Sequence, residues 1–394
     1  MPPKKLNIIH LISHPIQYQA PLYARIATDA DINFRVLFCS KKGSGTTLDA
    51  EFGVNVEWDI PILRGYNFKF LKNYARQESL DTFWGLMNFG VIRELCNAPK
   101  NSILWLHGWS NLTLILALFF GKMMGHTIYL RGESTAIIEQ NKLNNFSKKV
   151  KTFFNRQILF RLTDRFLAVG NQNKAYFKMM GVPDSKIAFA PYCVDNQRFT
   201  HFFENNKNNI SNHKTQLNIP LSKKVIIFSG KYIDKKRPLD LLKAVNLLPN
   251  KADIFTIFVG EGNLRGEMEN YVKKHHLEGN VQLTGFVNQS LMPNYYMISD
   301  LYVMCSGMYE TWGLSTNEAM CFGLPIIVSD RVGSAYDLVD GNGFMHPSGD
   351  VAALSKYIKT VFLLSERDLK AMKKQSFDII QNYNYEVILS ALKC

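Results

Sequence analysis

Short apolar runs that end at a glycine or at a cluster of polar residues recur along most of the 394-residue chain. Segments with helical character separate them, so strand and helix patterns alternate. This alternation predicts parallel sheets with helices on both faces, because successive parallel strands need a crossover that is usually a helix. The predicted strands lie at residues 6–12, 33–39, 102–106, 126–130, 165–169, 225–229, 254–259, 281–284, 301–304 and 325–328.

One segment interrupts this alternation. Residues 196–220 are rich in Asn, Lys and Ser and poor in apolar residues, which is typical of a linker or an exposed loop. A length of 394 residues predicts two or three domains. We therefore expect an α/β chain of two doubly wound, Rossmann-like domains that face a central cleft. The N-terminal domain would cover residues 1–195 and the C-terminal domain residues 196–375.

The chain is strongly basic. Lysine and arginine number 46 and aspartate and glutamate 33, which gives a formal net charge of +13. Such an excess indicates an anionic partner, which could be nucleic acid, a phosphate-rich small molecule or an anionic membrane surface. The sequence has no nucleic-acid recognition motif, and its basic residues are not interleaved with stacking aromatics. Nucleic acid is therefore the least favoured of the three partners.

Cysteine spacing and hydropathy indicate the cellular compartment of the protein. The six cysteines form no C-x-x-C pair, which argues against a zinc site and is typical of reduced thiols. Polar residues and Pro15 interrupt the apolar stretch near the N-terminus, unlike the core of a signal peptide. The most apolar segment, residues 112–120, is shorter than the roughly 20 residues that span a bilayer. We expect a cytoplasmic protein that is soluble or at most peripheral on the inner membrane face.

The strongest candidate site follows the predicted strand at 301–304. Glu310 falls in the loop after this strand, and Glu318 lies about one turn into the next predicted helix. Both can therefore face the carboxyl edge of the sheet, beside a helix N-terminus that favours anions. The alternative is a solvated glutamate pair on a surface helix. The residues that lead into the helix between the two glutamates are Trp312, Gly313, Leu314 and Ser315.

A second strand-to-loop junction begins at Gly230. Four basic residues and one acidic residue follow this glycine. Cations beside a glycine suit a diphosphate, whereas the alternative is an ordinary solvated charge run. The basic residues are Lys231, Lys235, Lys236 and Arg237.

A third junction only partly resembles a dinucleotide site. Gly260, Glu261 and Gly262 follow a predicted strand, but Arg265 occupies the last glycine position of G-x-G-x-x-G. Glu261 would also bring a negative charge towards a pyrophosphate. We interpret these residues as a tight strand–helix turn that lines a nucleotide pocket, and we expect no NAD or other cofactor. The phosphate-binding pattern G-x-x-x-x-G-K-[ST] does not occur in the sequence either.

Polar clusters also follow three predicted strands of the N-terminal half. Because the carboxyl ends of parallel strands share one edge, these clusters would line a rim suited to an acceptor substrate. The alternative for each histidine is a packing or capping role. The residues are His14 and Gln17 after the first strand, His107 after the strand at 102–106, and Arg131 and Glu133 after the strand at 126–130.

Residues 142–161 contain six basic residues and no acidic one, and their apolar residues recur every three to four positions. This pattern predicts an amphipathic basic helix. The helix could dock on anionic lipid headgroups, or it could be an ordinary helix whose lysines are solvated.

The motifs and their order resemble the retaining GT-B glycosyltransferases of glycosyltransferase family four, also called group 1. The resemblance covers most of the chain. The family's two-glutamate motif matches Glu310 and Glu318, and its phosphate motif matches Gly230, Lys231 and Lys236, with Lys in place of the usual Arg. Further matching segments are 192–195, 260–262, 285–287, 323–326, 341–344 and 347–350.

The resemblance implies a GT-B fold whose terminal helix, residues 376–394, crosses back to the N-terminal domain. It implies that Glu310 contacts the donor sugar, that Glu318 holds the ribose hydroxyls, and that Lys231 and Lys236 neutralise the diphosphate. The family retains the anomeric configuration and usually needs no divalent ion, so no metal site is expected. The other residues that the resemblance places at the donor are Gly230, Gly260, Gly262, Phe286, Trp312, Gly313, Leu314 and Ser315.

Two departures from the family pattern lie in the N-terminal half. Many members have a catalytic histidine where this chain has Arg131, Gly132 and Glu133, and a glycine-rich loop where it has residues 13–17. Arg131 and Glu133 are therefore the candidate catalytic residues of this half. We assign His14, Gln17 and His107 to the acceptor side.

The predicted activity is transfer of a sugar from a nucleotide-diphosphate sugar to a saccharide or lipid-linked saccharide acceptor, in cell-surface polysaccharide synthesis. The expected partners are the nucleotide sugar, the acceptor, and an anionic membrane surface that would bind residues 142–161. Two alternatives stay open: a nucleotide-sugar epimerase, and a catalytically inactive GT-B scaffold that binds sugars.

Overall fold

The structure is a computed structural model that describes residues 5–49, 53–137, 152–307 and 310–394. The chain divides into two compact units. Unit 1 comprises Met1–Thr47, Ile60–Pro191 and Tyr385–Cys394, and unit 2 comprises Leu48–Asp59 and Tyr192–Asn384. Each unit therefore combines segments that are distant in the sequence.

The strands differ in length from three to seven residues. In chain order they are β1 Leu6–Ile12, β2 Ile32–Phe38, β3 Thr47–Asp49, β4 Val54–Val56, β5 Asn67–Phe70, β6 Ile103–His107, β7 Thr127–Arg131, β8 Arg165–Ala168, β9 Ile187–Phe189, β10 Lys224–Ser229, β11 Ile254–Val259, β12 Val281–Leu283, β13 Leu301–Met304, β14 Ile326–Ser329 and β15 Gly343–His346.

Helices connect most of these strands. They are α1 Ala20–Ala27, α2 Gly90–Cys96, α3 Leu112–Met123, α4 Phe160–Leu162, α5 Asn171–Met179, α6 Asn196–Asn206, α7 Ile210–Gln216, α8 Pro238–Asn246, α9 Arg265–Lys274, α10 Met292–Met297, α11 Ser315–Met320, α12 Ala335–Leu338, α13 Val351–Phe362, α14 Glu366–Ile380 and α15 Tyr385–Lys393. A π-helical stretch, Asn155–Leu159, precedes α4. Among the helices in the described part of the chain, none is both long enough and apolar enough to cross a bilayer.

Unit 1 is built on a seven-stranded sheet in the order β5-β2-β1-β6-β7-β8-β9. Neighbouring strands run parallel, and Ile8 on β1 lies opposite Phe34 on β2 and Ile103 on β6. Leu11 and Leu104, on the central strands β1 and β6, are fully buried. Near-continuous apolar strands of this kind are typical of a parallel sheet that is covered on both faces.

Unit 2 is built on a six-stranded sheet in the order β12-β11-β10-β13-β14-β15, and its paired strands are also parallel. Ile226, Leu301 and Ile327, on its three middle strands, are fully buried. The strand order changes direction between β10 and β13. In open α/β sheets such a switch point is where the loops diverge and leave a crevice for ligands.

The strand predictions are confirmed, since every strand expected from an apolar run is present and its ends differ by at most one residue. The structure adds β3, β4, β5, β9 and β15, which are only three or four residues long. They lie at sheet edges or in the separate two-stranded sheet of β3 and β4. Strands this short give a weak pattern. The equally short β13 and β14 are recognisable because they are almost entirely apolar, whereas β3, β5 and β15 include polar residues.

The interpretation of residues 196–220 as a linker is wrong, because α6 and α7 occupy most of this segment. The side chain of Asp195 caps α6 by accepting a hydrogen bond at 3.0 Å from a backbone N–H one turn into the helix. Phe199 is buried, and Phe203 packs edge to face on Phe322 at 5.9 Å. A few aromatic residues therefore hold a helix whose overall composition is polar.

The C-terminal segment predicted as one helix at residues 376–394 consists of two elements in different units. The first, α14, ends at Ile380 in unit 2, and α15 belongs to unit 1. Asn196 donates its side-chain amide to the carbonyl oxygens of Ile380 and Tyr383, each at 3.1 Å. The first bond reaches a carbonyl group at the end of α14, and the second reaches the segment that follows this helix. The segment that joins unit 1 is therefore Tyr385–Cys394.

The docking of α15 can be tested with two leucines of different exposure. Leu392 on α15 is fully buried, whereas Leu363, after α13, is 69% exposed. We expect Leu392→Ala to lower the free energy of unfolding by about 2–5 kcal/mol, because it removes buried methyl groups and leaves a cavity. Leu363→Ala should change it by less than about 0.5 kcal/mol. Urea denaturation followed by circular dichroism measures both, and equal midpoints would contradict the docking.

Candidate functional site

The carboxyl ends of four neighbouring parallel strands meet at one edge of the unit 2 sheet, which we call the unit 2 edge. The strands are β12, β11, β10 and β13, in that order. The loop after β10 carries Gly230, Lys231 and Lys236, and the loop after β13 carries Glu310. These two loops flank the switch point, so the predicted cations and the first predicted glutamate lie where such sheets bind ligands.

Two glycines of the loop after β11 allow the backbones of adjacent loops to approach each other. Gly260 has a φ of +150°, and a Cβ atom there would lie 2.0 Å from the carbonyl oxygen of Gly230. Gly262 has a φ of +157°, and a Cβ atom there would lie 2.5 Å from the carbonyl oxygen of Tyr232. No other residue type fits at these positions. The loops after β10 and β11 are thereby held together at the unit 2 edge.

The negative charge of Glu261 is balanced within its own loop. Nη1 of Arg265 donates to Oε2 of Glu261 at 2.7 Å, and Nε of Arg265 donates to Glu269 at 2.9 Å. The arginine that breaks the dinucleotide fingerprint supplies the compensating cation.

A largely buried ion pair joins the two loops at the switch point. Nζ of Lys236 donates to Oε2 of Glu310, and the two side chains are only 20% and 11% exposed. Burial alone would raise the pKa of Glu310, but the ammonium groups of Lys236 and Lys235 outweigh it and hold the pKa below its ordinary value. Glu310 is therefore ionised at neutral pH.

Lys231 contacts a carboxylate from a distant part of the sequence. Its Nζ lies 3.0 Å from each carboxylate oxygen of Asp49, which ends β3. Of the remaining cations of this loop, Arg237 donates to Asp240 at 2.6 Å and Lys235 is exposed. Sequence pattern did not indicate the partner of Lys231, because Asp49 precedes it by 182 positions in a stretch without clear periodicity.

Glu318, on α11, is buried and hydrogen-bonded. It accepts a hydrogen bond at 2.7 Å from the hydroxyl of Tyr296, a residue of α10 that sequence reasoning did not identify. Burial raises the pKa of Glu318 above its ordinary value. Tyr302 on β13 is fully buried, and the charges of both Glu318 and Glu310 add to the effect of burial in raising its pKa. The two glutamates therefore act electrostatically on one residue.

The residues between the two glutamates fix the start of α11. Nε1 of Trp312 donates to Oδ1 of Asn317 at 2.8 Å, and Gly313 has a φ of +86° that favours glycine. Leu314 is the N-cap residue, and the hydroxyl of Ser315 lies 2.7 Å from that of Tyr302. The segment 312–315 thus ties α11 to β13 and sets the position of Glu318.

At the other end of the unit 2 edge, the loop after β12 carries an aromatic pair. Phe286 meets the ring of Trp58 edge to face, with 5.9 Å between the ring centroids. Both rings are half-buried. Trp58 was not predicted as a site residue, because the sequence around it has no strand or helix pattern.

In unit 1, the carboxyl ends of β1 and β6 surround a histidine that sequence reasoning missed. His10, on β1, is fully buried, and its ring nitrogens lie 3.0 Å from the Trp105 carbonyl oxygen and 3.0 Å from the Tyr23 hydroxyl. Burial lowers the pKa of His10 well below its ordinary value. A polar residue inside an otherwise apolar strand was the signal that could have identified it.

The predicted acceptor-side residues lie at the ends of these strands. Burial, assisted by Lys42 and His107, lowers the pKa of His14 to about 4, and burial also lowers the pKa of His107. Nε2 of His107 lies 3.6 Å from Oε1 of Glu133, whose side chain is 49% exposed. Both histidines are therefore neutral at pH 7. Gln17 lies half-buried in the turn before α1.

Arg131, at the end of β7, is 1% exposed and donates to the carbonyl oxygen of Pro191 at 3.4 Å. Its charge contributes to the lowered pKa of His10 and of His107. The neighbouring Gly132 lies against the ring of Trp109, where a Cβ atom would come within 2.1 Å of a ring carbon. Arg131 therefore acts on this edge through its charge from a buried position, and Glu133 is the exposed member of the pair.

Part of the predicted basic helix, residues 142–151, lies outside the described residues. In the described remainder, Phe153 is 66% and Phe154 is 40% exposed, and Arg156 and Arg161 belong to the helical stretch that contains α4. Among the residues that the structure describes, no three His, Cys, Asp or Glu side chains are grouped so that they could hold a metal ion.

Comparison with known proteins finds a family whose members resemble part of the C-terminal half of the chain. Residues 209–377 match the family described as glycosyl transferases group 1. This range contains the loops after β10, β11, β12 and β13, and therefore most of the unit 2 edge. The similarity to the group 1 glycosyltransferases therefore covers less than half of the chain.

Three curated relatives have similar sequences. Spore coat protein SA of Bacillus subtilis is 28% identical over 181 residues, 43% of this chain and 48% of that protein. A 2-deoxystreptamine N-acetyl-D-glucosaminyltransferase of Niallia circulans is 23% identical over 246 residues, 61% of this chain and 62% of that protein. A lipopolysaccharide 1,2-N-acetylglucosaminetransferase of Salmonella typhimurium is 25% identical over 178 residues, 43% and 44% of the two chains. The chain thus spans about half the length of these relatives.

Solved structures agree with the whole chain in fold. A glycosyltransferase from Rickettsia africae has a TM-score of 0.73 at 13% identity, covering 98% of this chain and 96% of that one. HepE from Anabaena in complex with UDP has a TM-score of 0.72 at 15% identity, covering 98% of both chains. Together with the two parallel-sheet units, these neighbours show that the chain has a GT-B, Rossmann-like fold.

The ion pair at the switch point predicts how the pKa of Glu310 changes when the charge of Lys236 is removed. Lys236→Met keeps the length of the side chain and removes its charge, so burial acts with less opposition and the pKa of Glu310 should rise. In wild type this pKa is held below the ordinary value of 4.5, so the stabilisation from the pair is present at neutral pH and is lost as the pH falls through the folded-state pKa.

Carbon-13 NMR of the labelled Glu310 carboxyl measures this pKa. Lys235→Met is the matched control, because Lys235 is adjacent in sequence and exposed. We expect this control to raise the pKa less than Lys236→Met does. Equal shifts in the two variants would contradict a dominant role of Lys236.

Proposed function

We propose that this chain, a GT-B protein whose residues 209–377 match the group 1 glycosyltransferases, transfers a sugar from a nucleotide-diphosphate sugar to a saccharide or lipid-linked saccharide acceptor. The observation that carries the proposal is the Glu310–Lys236 ion pair at the switch point of the unit 2 sheet, with Lys231 in the same loop as Lys236. It provides an ionised carboxylate and fixed cations at the edge where α/β sheets bind ligands.

The two lysines suit the departing diphosphate. When the bond between the anomeric carbon and the phosphate oxygen breaks, its electron pair stays on the oxygen and negative charge grows on the diphosphate. Cations that are already in position stabilise this charge without reorganisation. Lys236 is held in place by Glu310, and the glycines at 260 and 262 bring a second loop beside the first. We assign Gly230, Lys231, Lys236, Gly260 and Gly262 to diphosphate binding.

The two glutamates serve different parts of the donor in this proposal. Glu310, ionised at neutral pH, accepts hydrogen bonds from the hydroxyls of the donor sugar and lies near the reacting centre. Glu318 is fixed by the Tyr296 hydroxyl and accepts the ribose hydroxyls through its remaining lone pairs. We assign the nucleobase to the loop that carries Phe286. The segment 312–315 orients Glu318.

We propose that the transfer retains the anomeric configuration and needs no divalent metal ion. Support for metal independence comes from the cations of the loop after β10, because they can neutralise the diphosphate themselves. Support for retention comes from the two-glutamate motif that the sequence shares with the retaining enzymes of family four.

The acceptor is proposed to bind at the polar edge of unit 1. Neutral His14 and His107 can each donate one hydrogen bond and accept another, which suits the hydroxyl groups of a saccharide. We assign Gln17 to acceptor binding, Glu133 to a catalytic role, and Arg131 to an electrostatic one. Two relatives are named as N-acetylglucosaminyl transferases, one of them for lipopolysaccharide, which favours a saccharide acceptor in cell-surface polysaccharide synthesis.

We place this activity in the cytoplasm, at the inner face of the membrane. The exposed ring of Phe153 and the cations of Arg156 and Arg161 support contact with anionic lipid headgroups, where a lipid-linked acceptor would reside.

The decisive experiment screens a panel of UDP-, GDP- and ADP-sugars with saccharide acceptors in the presence of a metal chelator. We expect one donor to be consumed only when an acceptor is present, and NMR of the product to show a retained anomeric configuration. Glu310→Gln should lower the turnover at least about 100-fold, because it removes the charge beside the reacting centre.

Conversion of the donor without any acceptor would indicate an epimerase instead. Near-normal turnover in Glu310→Gln, with the wild type active, would contradict the role of Glu310. Nucleoside diphosphate affinity of the variant is measured in parallel, because retained binding shows that the unit 2 edge is intact.

Lys231 provides a separate test of diphosphate binding. A charge-assisted hydrogen bond contributes about 1.5–3 kcal/mol, so Lys231→Ala should weaken nucleoside diphosphate binding by roughly 10- to 100-fold. Lys251→Ala is the matched control, since Lys251 precedes β11 at the opposite end of the strand and donates to Asn246 at 2.7 Å. Isothermal titration calorimetry measures both. Equal affinities for the two variants would remove Lys231 from the site.

A further inference from the structure

A short part of unit 2 comes from the N-terminal region of the chain, between two strands of the unit 1 sheet. It contains the last two residues of β3, all of β4 and the residues that follow β4, and β3 and β4 form a sheet of their own. The backbone N–H of Gly53 donates to the carbonyl oxygen of Asp49 at 2.8 Å. We call Asp49 together with residues 53–59 the strap.

One end of the strap is fixed to the loop after β12. The side-chain amide of Asn288 donates to the carbonyl oxygen of Glu57 at 2.6 Å, and the backbone N–H of Ser290 donates to Oδ1 of Asp59 at 3.1 Å. Trp58 meets Phe286 edge to face in the same place. The loop that holds this end is the one assigned above to the nucleobase.

The other end of the strap lies on a cation assigned to the diphosphate. Both carboxylate oxygens of Asp49 are 3.0 Å from Nζ of Lys231, and the two side chains are 32% and 22% exposed. The strap therefore contacts both the loop after β12 and the loop after β10, whose strands lie on either side of β11 in the sheet.

A diphosphate and the Asp49 carboxylate make competing demands on Lys231. The carboxylate has the charge and the acceptor oxygens with which a phosphate would bind the same ammonium group. Two anions held side by side on one lysine repel each other, and partial shielding from water strengthens this repulsion. A diphosphate therefore binds Lys231 more favourably once Asp49 has left it. The end of the strap that is held by Asn288 and Ser290 does not compete with a diphosphate, because its contacts are hydrogen bonds and an aromatic pair.

We propose that the strap completes the nucleotide-sugar site of unit 2, with Asp49 as a built-in competitor that the donor diphosphate displaces from Lys231 and with Trp58 as a wall beside the nucleobase. The inference rests on the proposed function and deepens it. It assigns donor recognition to two residues that lie outside the matched family region, and it makes the apparent donor affinity depend on the release of Asp49.

The test measures binding of UDP and of inorganic pyrophosphate by isothermal titration calorimetry, with GDP and ADP as further nucleotides. Asp49→Asn should tighten binding of both UDP and pyrophosphate by roughly 3- to 10-fold, since an ion pair of this exposure is worth little more than a surface pair. In the Lys231→Ala background the same substitution should have no effect. Trp58→Ala should weaken UDP binding by roughly 10-fold, the loss expected for a base-stacking aromatic, and leave pyrophosphate binding unchanged.

Two variants in unit 1 serve as matched controls. Asp184→Asn removes an equal charge from an exposed lysine pair, and Trp84→Ala removes a tryptophan that is 64% exposed. Neither should change the affinity for UDP or pyrophosphate.

The possible outcomes distinguish a failure of the strap proposal from a failure of the proposed function. Wild type that binds none of the three nucleoside diphosphates overturns the proposed function and the strap with it. If the wild type binds a nucleoside diphosphate and neither Asp49→Asn nor Trp58→Ala changes this binding, only the strap proposal is overturned. Weaker pyrophosphate binding by Asp49→Asn overturns the competitor role, because it would mean that Asp49 positions Lys231 for the ligand.

Discussion

The parallel alignment of the strands is the constraint on which the rest of the molecule depends. Each sheet collects the carboxyl ends of its strands at one edge, so residues that are far apart in sequence come together there. In unit 2 this brings Lys236 and Glu310 into contact although 74 positions separate them. The reversal of strand order between β10 and β13 places this contact at the switch point. These two charged side chains therefore lie at the point where the sheet leaves a crevice for ligands.

Charge at the unit 2 edge is organised as pairs. Sequence shows four basic residues after Gly230 and suggests an excess of positive charge, but three of them have acidic partners in the structure: Lys236 with Glu310, Lys231 with Asp49, and Arg237 with Asp240. Glu261 is likewise balanced by Arg265. The edge is thus nearly neutral before a ligand arrives. In the proposed function, a diphosphate would replace Asp49 as the anionic partner of Lys231.

Much of the fold was accessible from the sequence, because a buried parallel strand has an apolar signature that needs no tertiary information. The misread segment at 196–220 shows the limit of this reasoning. Phe199 and Phe203 hold α6 against other elements, yet they are a small fraction of a polar stretch. The short edge strands were not predicted for a related reason, since a strand of three or four residues gives little pattern unless most of its residues are apolar, as they are in β13 and β14. Local sequence patterns fail to predict secondary structure where a few long-range contacts determine it.

The sequence by itself determined the alternation of strands and helices and the glycines of the turns at the strand ends. It also determined the presence of Glu310, Lys231 and Lys236 in loops after strands and of Glu318 in the helix that follows. These are properties of local residue order. Only the tertiary structure decided which of these charges touch, that Asp49 reaches Lys231, and that Trp58 reaches Phe286. It also decided that Arg131 is buried while Glu133 is exposed. Contacts of this kind depend on the order of the strands and on the paths of the loops, and the periodicity of a single segment predicts neither.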